Sequence, residues 1–252
     1  MLTLQRDETI LKRLRETGSA SAQELAELLG VSGSTVRRDL ERLELLGVLR
    51  RVHGGAYFTP ASNVETLFAE AVDENAAEKE SVAARAAQLV GDGQVVLLDI
   101  GTTTMRIAHH LRGREVTVIT SSLAVLDVLR HDTAVNLVIL GGIVRRNFQT
   151  LVGTITEDAL ATVRADIAFL TCTGVRPDGS IVDDISQEAS IKRALIAAAD
   201  TVVLITTSSK FPGSGSLRIG HLENIDIVVT TNGADEATLA HCRQAGGQVH
   251  LV

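Results

Sequence analysis

Seven short runs rich in Val, Ile and Leu punctuate the second part of the chain: Val95–Ile100, Val116–Thr120, Val135–Leu140, Ile167–Thr171, Val202–Thr206, Ile225–Thr230 and Gln248–Val252. Segments of helical length separate them. Continuous apolar runs, unlike alternating ones, suit strands buried on both faces, and strands joined by helix-length crossovers pair in parallel. The pattern predicts an α/β fold with a Rossmann-like, mostly parallel sheet over residues 79–252. A sheet of this kind binds ligands outside the carboxyl ends of its strands.

The first 57 residues are patterned differently. Ile10, Leu11 and Leu14, followed by Gly18, predict an amphipathic helix from about Leu4 to Glu16. Ser21 stands three residues before Glu24, the spacing of a capping box, and Leu25, Leu28 and Leu29 supply the apolar face of a second helix that Gly30 ends. Val31 is expected in the core, Ser32 is expected to cap a third helix, and Val36, Leu40, Leu43 and Leu46 are expected to face inward. That leaves Ser34, Thr35, Arg37, Arg38 and Arg42 outward. Gly47 closes the helix, and Val48–His53 before Gly54-Gly55 reads as a two-stranded wing carrying Arg50, Arg51 and His53.

Paired arginines on a helix are by themselves an ordinary solvated face. Here they follow a glycine turn and a Ser-initiated helix start, and a basic wing comes next. Small hydroxyl side chains permit close approach to a groove, and guanidinium groups suit phosphates and guanine edges. The ensemble predicts a winged helix-turn-helix DNA-binding domain over 1–57, with Ser32, Ser34, Thr35, Arg37, Arg38, Arg42, Arg50, Arg51 and His53 as candidate DNA contacts. Residues 58–78, where the periodicity weakens and Pro60 intervenes, are expected to be a linker.

A net charge of −7 at first sight argues against a polyanionic partner, but it is unevenly placed, with +1 on residues 1–57 and −8 on the remainder. A modest basic patch on an acidic body implies weak non-specific binding and reliance on specific contacts made by more than one copy. Cys172 and Cys242 lie far apart without the spacing of a metal site and are expected to be buried free thiols. No metal or cofactor is expected. No apolar run approaches ~18 residues and no apolar leader follows the N-terminus, so the expectation is a cytoplasmic protein with no membrane partner.

The residues just after the predicted strands are small, hydroxylated or glycine-rich: Asp99-Ile100-Gly101-Thr102-Thr103, Thr120-Ser121-Ser122, Gly141-Gly142, Thr173-Gly174 and Thr207-Ser208-Ser209-Lys210. Singly, each is ordinary turn or cap chemistry. Together on one sheet edge they form an anion cradle of backbone N–H and hydroxyl groups, with Lys210 placed to neutralise a phosphate.

With these residues in view, the chain resembles the DeoR family of bacterial transcription regulators. The resemblance rests on Val31-Ser32-Gly33-Ser34-Thr35-Val36-Arg37-Arg38-Asp39-Leu40, on Arg51-Val52-His53-Gly54-Gly55-Ala56, and on the strand-end loops in their order. It implies a C-terminal sensor domain similar in fold to ribose-5-phosphate isomerase. The implied effector contacts are Asn75, Lys79, Asp99, Gly101, Thr102, Thr103, Thr120, Ser121, Ser122, Gly141, Gly142, Thr173, Gly174 and Lys210. Three positions depart from the family pattern: Thr207 stands for an Asp, Ala71 for an Arg, and Asn232 for the Asp of a Thr-Asp pair. The resemblance further implies a repressor of sugar or polyol catabolic genes. It would bind double-stranded operator DNA as a homodimer or homotetramer and be relieved allosterically by a phosphorylated sugar or polyol.

Other readings fit less of the sequence. A sugar-phosphate isomerase would need a carboxylate base, for which Asp99, Asp183, Asp184 and Glu188 are the candidates. An NAD(H) sensor would need Gly-x-Gly-x-x-Gly after the first strand, and Gly101 has no glycine partners. A regulator sensing a non-phosphorylated metabolite or a nucleotide is the nearer alternative, given the three departures.

Overall fold

The computed structural model describes residues 3–45, 49–52, 54–58, 68, 71–72 and 74–252. The chain divides into two compact units, Met1–Ala69 with Arg146–Phe148 and Glu70–Arg145 with Gln149–Val252.

Unit 1 comprises α1 (Thr3–Thr17), β1 (Ser19–Ser21), α2 (Ala22–Leu29), α3 (Gly33–Leu45), β2 (Leu49–Val52) and β3 (Gly55–Phe58). The capping box forms as its spacing requires: Ser21 Oγ accepts from Glu24 N at 3.1 Å, and Ser21 N donates to Glu24 Oε2 at 2.7 Å. Gly30 ends α2 in the left-handed region, at φ 64°. Ile10, Leu14, Leu25, Leu29, Val36, Leu40 and Leu43 bury together with Ala20, Leu49 and Ala56. Leu28, expected on the apolar face, is 52% exposed instead, because that face of α2 is already filled by Leu25 and Leu29. Val31 is only partly buried at the edge of this core. Leu46, Gly47, Val48 and His53 lie outside the described residues.

The wing is larger than the expected pair of strands. β3 pairs antiparallel with β2 on one side and with β1 on the other, in register Ser19↔Tyr57, Ala20↔Ala56 and Ser21↔Gly55. Three small residues carry no strand signal, so only their pairing with β3 makes them a strand. Gly55 shows what the pairing demands: a β-carbon there would stand 2.3 Å from Ala20 O and 2.8 Å from Ser21 Cα. Both neighbours are backbone and cannot swing aside. Gly55→Ala is therefore expected to destabilise unit 1 by about 2–3 kcal/mol, and an unchanged thermal melt would rule out the close approach.

In unit 2 the seven apolar runs become β4 (Val95–Leu98), β5 (Thr117–Thr120), β6 (Asn136–Ile139), β9 (Ala165–Leu170), β12 (Ala199–Ile205), β14 (Ile227–Thr230) and β15 (Gln248–Leu251). They form one sheet in the order β15-β14-β12-β9-β4-β5-β6, with every pairing parallel. The helices are α4 (Ala76–Ala87), α5 (Thr102–Leu111), α6 (Leu123–Leu129), α7 (Thr154–Ala161), α8 (Ser186–Ala197) and α9 (Glu236–Gln244). Successive strand residues feed opposite cores: Val96 and Leu98 pack with Val82, Ala86, Ile107 and Leu111, whereas Leu97 packs with Leu160, Ala189, Leu195 and Leu239. Burial on both faces explains why the runs are continuous.

Short antiparallel pieces decorate the sheet, and the sequence patterns do not announce them. β7 (Ile143–Arg145) pairs with β8 (Thr150–Val152), and β10 (Gly174–Val175), β11 (Ser180–Asp183) and β13 (Leu217–His221) form a three-stranded sheet. After β4 the chain moves outward through β5 to β6, then returns to place β9 on the other side of β4. The carboxyl ends of β4 and β9 thus flank the topological switch point, where an open α/β sheet forms its ligand crevice.

Candidate functional sites

The outward face of α3 is built by what the inward face holds. Asp39 falls between Val36 and Leu43 on the buried side and is 4% exposed. It accepts from Arg6 Nε at 2.7 Å, from Arg6 Nη2 at 3.1 Å and from Arg42 Nη2 at 3.2 Å, while Arg42 also donates to both Asp7 oxygens at 2.6 and 2.5 Å. The hydrogen bonds from Arg6 hold the Asp39 carboxyl below the usual carboxylate range despite its burial. This network clamps α1 to α3. Arg42, expected from the sequence to face DNA, is instead committed to Asp7 and Asp39. Asp39 itself could have been found by noticing an acid inside the 36-39-40-43 stripe.

Arg37 and Arg38 are exposed and make no ion pair or hydrogen bond among the described residues. Ser32 Oγ lies 2.9 Å from both Ser34 Oγ and Thr35 Oγ1 and accepts from Thr35 N at 3.3 Å, so three hydroxyls cluster at the helix start beside the two arginines. On the wing, Arg50 pairs across from Tyr57 in β3. Arg51 is drawn toward α3: its N donates to Glu44 Oε1 at 2.8 Å, and its guanidinium lies 4.0 Å from Glu41 and Glu44.

The second site is the carboxyl edge of the large sheet. At the switch point Asp99 is not an open ligand contact. Its Oδ2 accepts from Thr171 N at 2.9 Å, Thr171 Oγ1 at 2.7 Å and Lys192 Nζ at 2.5 Å. Lys192, on α8, also lies 3.7 Å from Asp183 and donates to Thr171 Oγ1 and the Thr171 carbonyl. Four residues away on the same helix, Glu188 accepts from Arg145 Nη1 at 2.6 Å. All of these except Arg145 and Thr171 are below a tenth exposed. Three carboxylates and two cations therefore form a buried cluster beneath the crevice.

Burial alone would depress the Lys192 ammonium, but Asp99, Asp183 and Glu188 outweigh it and hold the ammonium above its ordinary value. Burial pushes the Glu188 carboxyl up to about 7 against the pull of Lys192 and Arg145. A carboxyl raised on folding stabilises the fold while protonated, so its contribution is complete below about 4.5 and is lost as pH rises through about 7. Glu188→Gln is expected to flatten the stability profile across that window, which melting curves at successive pH values would show. A profile equally steep in the variant would place the titration elsewhere. The sequence reading missed Lys192, although a lysine four residues from Glu188 inside the Ala189–Leu195 apolar stripe was a usable signal.

The remaining predicted contacts divide into open and occupied groups. Gly101 opens α5 at φ 124°, a conformation that favours glycine, and Thr102 and Thr103 form the first turn behind it. Thr120 Oγ1 donates to the Leu98 carbonyl, Ser121 supplies its carbonyl to Leu151 N, and Ser122 caps α6. Gly142 and Gly174 have packing reasons of their own. A β-carbon at Gly142 would stand 2.2 Å from Thr156 Oγ1, and one at Gly174 would stand 2.6 Å from Gly213 Cα. Thr173 N donates to the Val182 carbonyl. Neighbouring strands stand about 4.8 Å apart, so Gly141 and Gly142 beyond β6 lie about 19 Å along the sheet from the β12 end that carries Lys210, beyond the reach of one small molecule.

Around the β12 end charges of both signs meet, Lys79, Lys210 and Arg106 with Glu74, Glu78 and Glu80. Lys79 donates to the Ala71 carbonyl at 2.5 Å, and its ammonium is depressed by burial and by the nearby Lys210 and Arg106, with Glu74 opposing. Asn75 precedes α4 with φ 51° and makes no capping bond. Thr207 Oγ1 pairs with Ser209 Oγ, and Thr231 Oγ1 accepts from Ser208 N and donates to Glu78. Cys172 and Cys242 are both free, and Cys172 is only partly buried. Loss of hydration raises the Cys172 thiol to about 11, which keeps it protonated at neutral pH.

Residues 6–60 match the DeoR-like helix-turn-helix domain, and residues 74–232 match the DeoR C terminal sensor domain. The HTH-type transcriptional regulator GolR of Listeria innocua is 31% identical over 252 residues, covering 100% of this chain and 99% of that protein. The glycerol-3-phosphate regulon repressor of Escherichia coli K12 is 31% identical over 91% of each chain. The L-fucose operon activator of Haemophilus influenzae is 28% identical over 95% of this chain and 96% of its own. Among solved structures, a ribose 5-phosphate isomerase from Methanocaldococcus jannaschii aligns over 52% of each chain at 21% identity, with a TM-score of 0.39.

Proposed function

The chain belongs to the DeoR family of DNA-binding transcription regulators, and from that premise we propose that it represses genes for the breakdown of a sugar or polyol and is relieved by a phosphorylated intermediate of that breakdown. Residues 1–57 bind the operator and 79–252 sense, with 58–78 between them, although β3 runs to Phe58 and α4 of the second unit already begins at Ala76. The protein acts in the cytoplasm as a homodimer or homotetramer, since half-sites on DNA are met by symmetric copies. Among the described residues no helix is long and apolar enough to cross a membrane. We take it to bind its effector without turning it over: of the four candidate carboxylates, Asp99 and Asp183 are engaged by Lys192, Glu188 by Arg145 and Asp184 by Ser216 N.

The observation that carries the effector reading is that Lys79 and Lys210 stand near one another at the β12 end; Arg106 nearby is already paired with Glu80, so an anion there would be met by the two lysines. The Gly101-Thr102-Thr103 turn at the start of α5 lies two strands away, about 10 Å, the span of a sugar phosphate. Effector binding shifts the population between DNA-competent and incompetent states.

Thermal-shift measurements against sugar and polyol phosphates, their unphosphorylated parents and NAD(H) test this, because a ligand that binds only the folded state stabilises it by mass action. Stabilisation by a phosphorylated compound and not by its parent is the expected result. Lys210→Ala should abolish that shift while leaving DNA affinity unchanged. A response to the parent sugar alone would show that Ala71, Thr207 and Asn232 mark a pocket without a phosphate. A reporter gene behind the selected operator should be silenced by the protein; stimulation would make it an activator.

A further inference from the structure

Six large apolar side chains stand exposed among the described residues of unit 2, and five of them lie around the β6 edge of the sheet: Val138, Ile139, Ile143, Val144 and Ile155. Ile143 is 66% and Ile155 64% exposed, the two highest values among these five. Successive residues of β6 and of β7 point to opposite faces, so Val138 and Ile139, and likewise Ile143 and Val144, flank this edge on both sides, with Ile155 on α7 beside it. A β-carbon at Gly141 would stand 3.5 Å from Ile155 Cγ2, and one at Gly153 would stand 3.5 Å from Ile143 Cδ1, so each isoleucine packs over a glycine of this edge. β6 ends the sheet, with β5 as its one neighbour.

Charge indicates the occupant. Residues 133–144 and 149–156 contain no Lys, Arg, Asp or Glu, although the chain is 22% charged and carries a net −7. Two copies of an acidic protein repel one another least where such an uncharged surface meets its own image. A two-fold contact must also be self-complementary, and an uncharged apolar patch meets that condition with its own image. An exposed apolar patch rimmed by polar surface is in general an association site. We propose that the β6–β7–α7 surface, centred on Ile143 and Ile155, is where a second copy of this chain docks.

This inference rests on the reading of the chain as a regulator that addresses DNA in more than one copy. The test is the solution mass of the full-length protein by light scattering at micromolar concentration, together with binding to DNA bearing one or two half-sites. Wild type is expected at an even multiple of the monomer mass. Ile143→Glu and Ile155→Glu should each dissociate it toward a smaller species with an unchanged melt. They should bind two-half-site DNA about a hundredfold more weakly while keeping their affinity for a single half-site. Leu251→Glu, at the opposite edge of the sheet, should leave mass and binding as in wild type.

Should either glutamate disturb folding, the serine variants at the same positions give the milder form, a dissociation shifted to higher concentration. A monomeric wild type, or an undiminished mass in the folded Ile143 and Ile155 variants, overturns the docking surface. If DNA binding persists in that case, the regulator reading stands without it; loss of DNA binding in wild type as well would sink the reading itself.

Discussion

Replacing Lys192 by methionine is expected to remove about 3–5 kcal/mol of stability and to lower the melting temperature by roughly 10 °C. The ammonium is 3% exposed and lies 2.5 Å from Asp99 and 3.7 Å from Asp183, whose side chains are 1% and 5% exposed. Methionine fills a similar volume, so the loss is electrostatic: buried carboxylates remain without a counter-charge, and the Thr171 carbonyl loses a donor. The pH dependence has a definite sign. Lys192 opposes the effect of burial on Glu188, so without it that carboxyl is raised further in the folded state, and the deficit should be largest at neutral pH and shrink toward acid. Adding Asp99→Asn should recover part of the loss. A single variant that melts with wild type at pH 7 would show that the cluster does not hold the switch point together.

The second large effect is expected at the DNA face. Arg37→Ala with Arg38→Ala should weaken binding to a selected operator by about a hundredfold or more, since a bidentate base contact or a charged phosphate contact is worth about 1–3 kcal/mol. Neither side chain supports the fold, as both are exposed and unpaired among the described residues, so the melt should not move. Salt titration separates the roles. An arginine on a phosphate lowers the salt slope by about one when removed, whereas one on a base edge relaxes sequence preference. Arg42→Ala behaves differently: it breaks the link to Asp7 and Asp39 and should lower the melting temperature before it alters any DNA contact. Unchanged operator affinity in the double variant would defeat the assignment of α3 as the recognition helix.

Periodicity and local chemistry made most of the architecture legible in the sequence. The five inner sheet strands were readable because burial on both faces demands nearly uninterrupted Val, Ile and Leu, whereas β6 and β15 at the edges keep the pattern while staying largely exposed, and the capping box and Gly30 marked α2 because they act within a few residues of the helix ends. The exposed Arg37-Arg38 pair was legible for the same reason, its neighbours Val36 and Leu40 fixing the inward face.

Interactions between residues distant in the chain were not legible. β1 is three small residues whose strand identity comes wholly from pairing with β3, some 35 positions on. Arg42 read as part of an outward face until Asp7 and Asp39 are placed beside it. Asp99 read as a ligand contact because it follows a strand, and Lys192, 93 residues later, claims it. What the sequence by itself determined is the helices of the first unit, the seven strands of the large sheet and which of their faces are apolar, because those follow from near neighbours along the chain. Which charges meet, and so which side chains stay open for DNA or an effector, only the tertiary structure decided, because Coulombic pairing depends on distance in space and on burial that no local window contains.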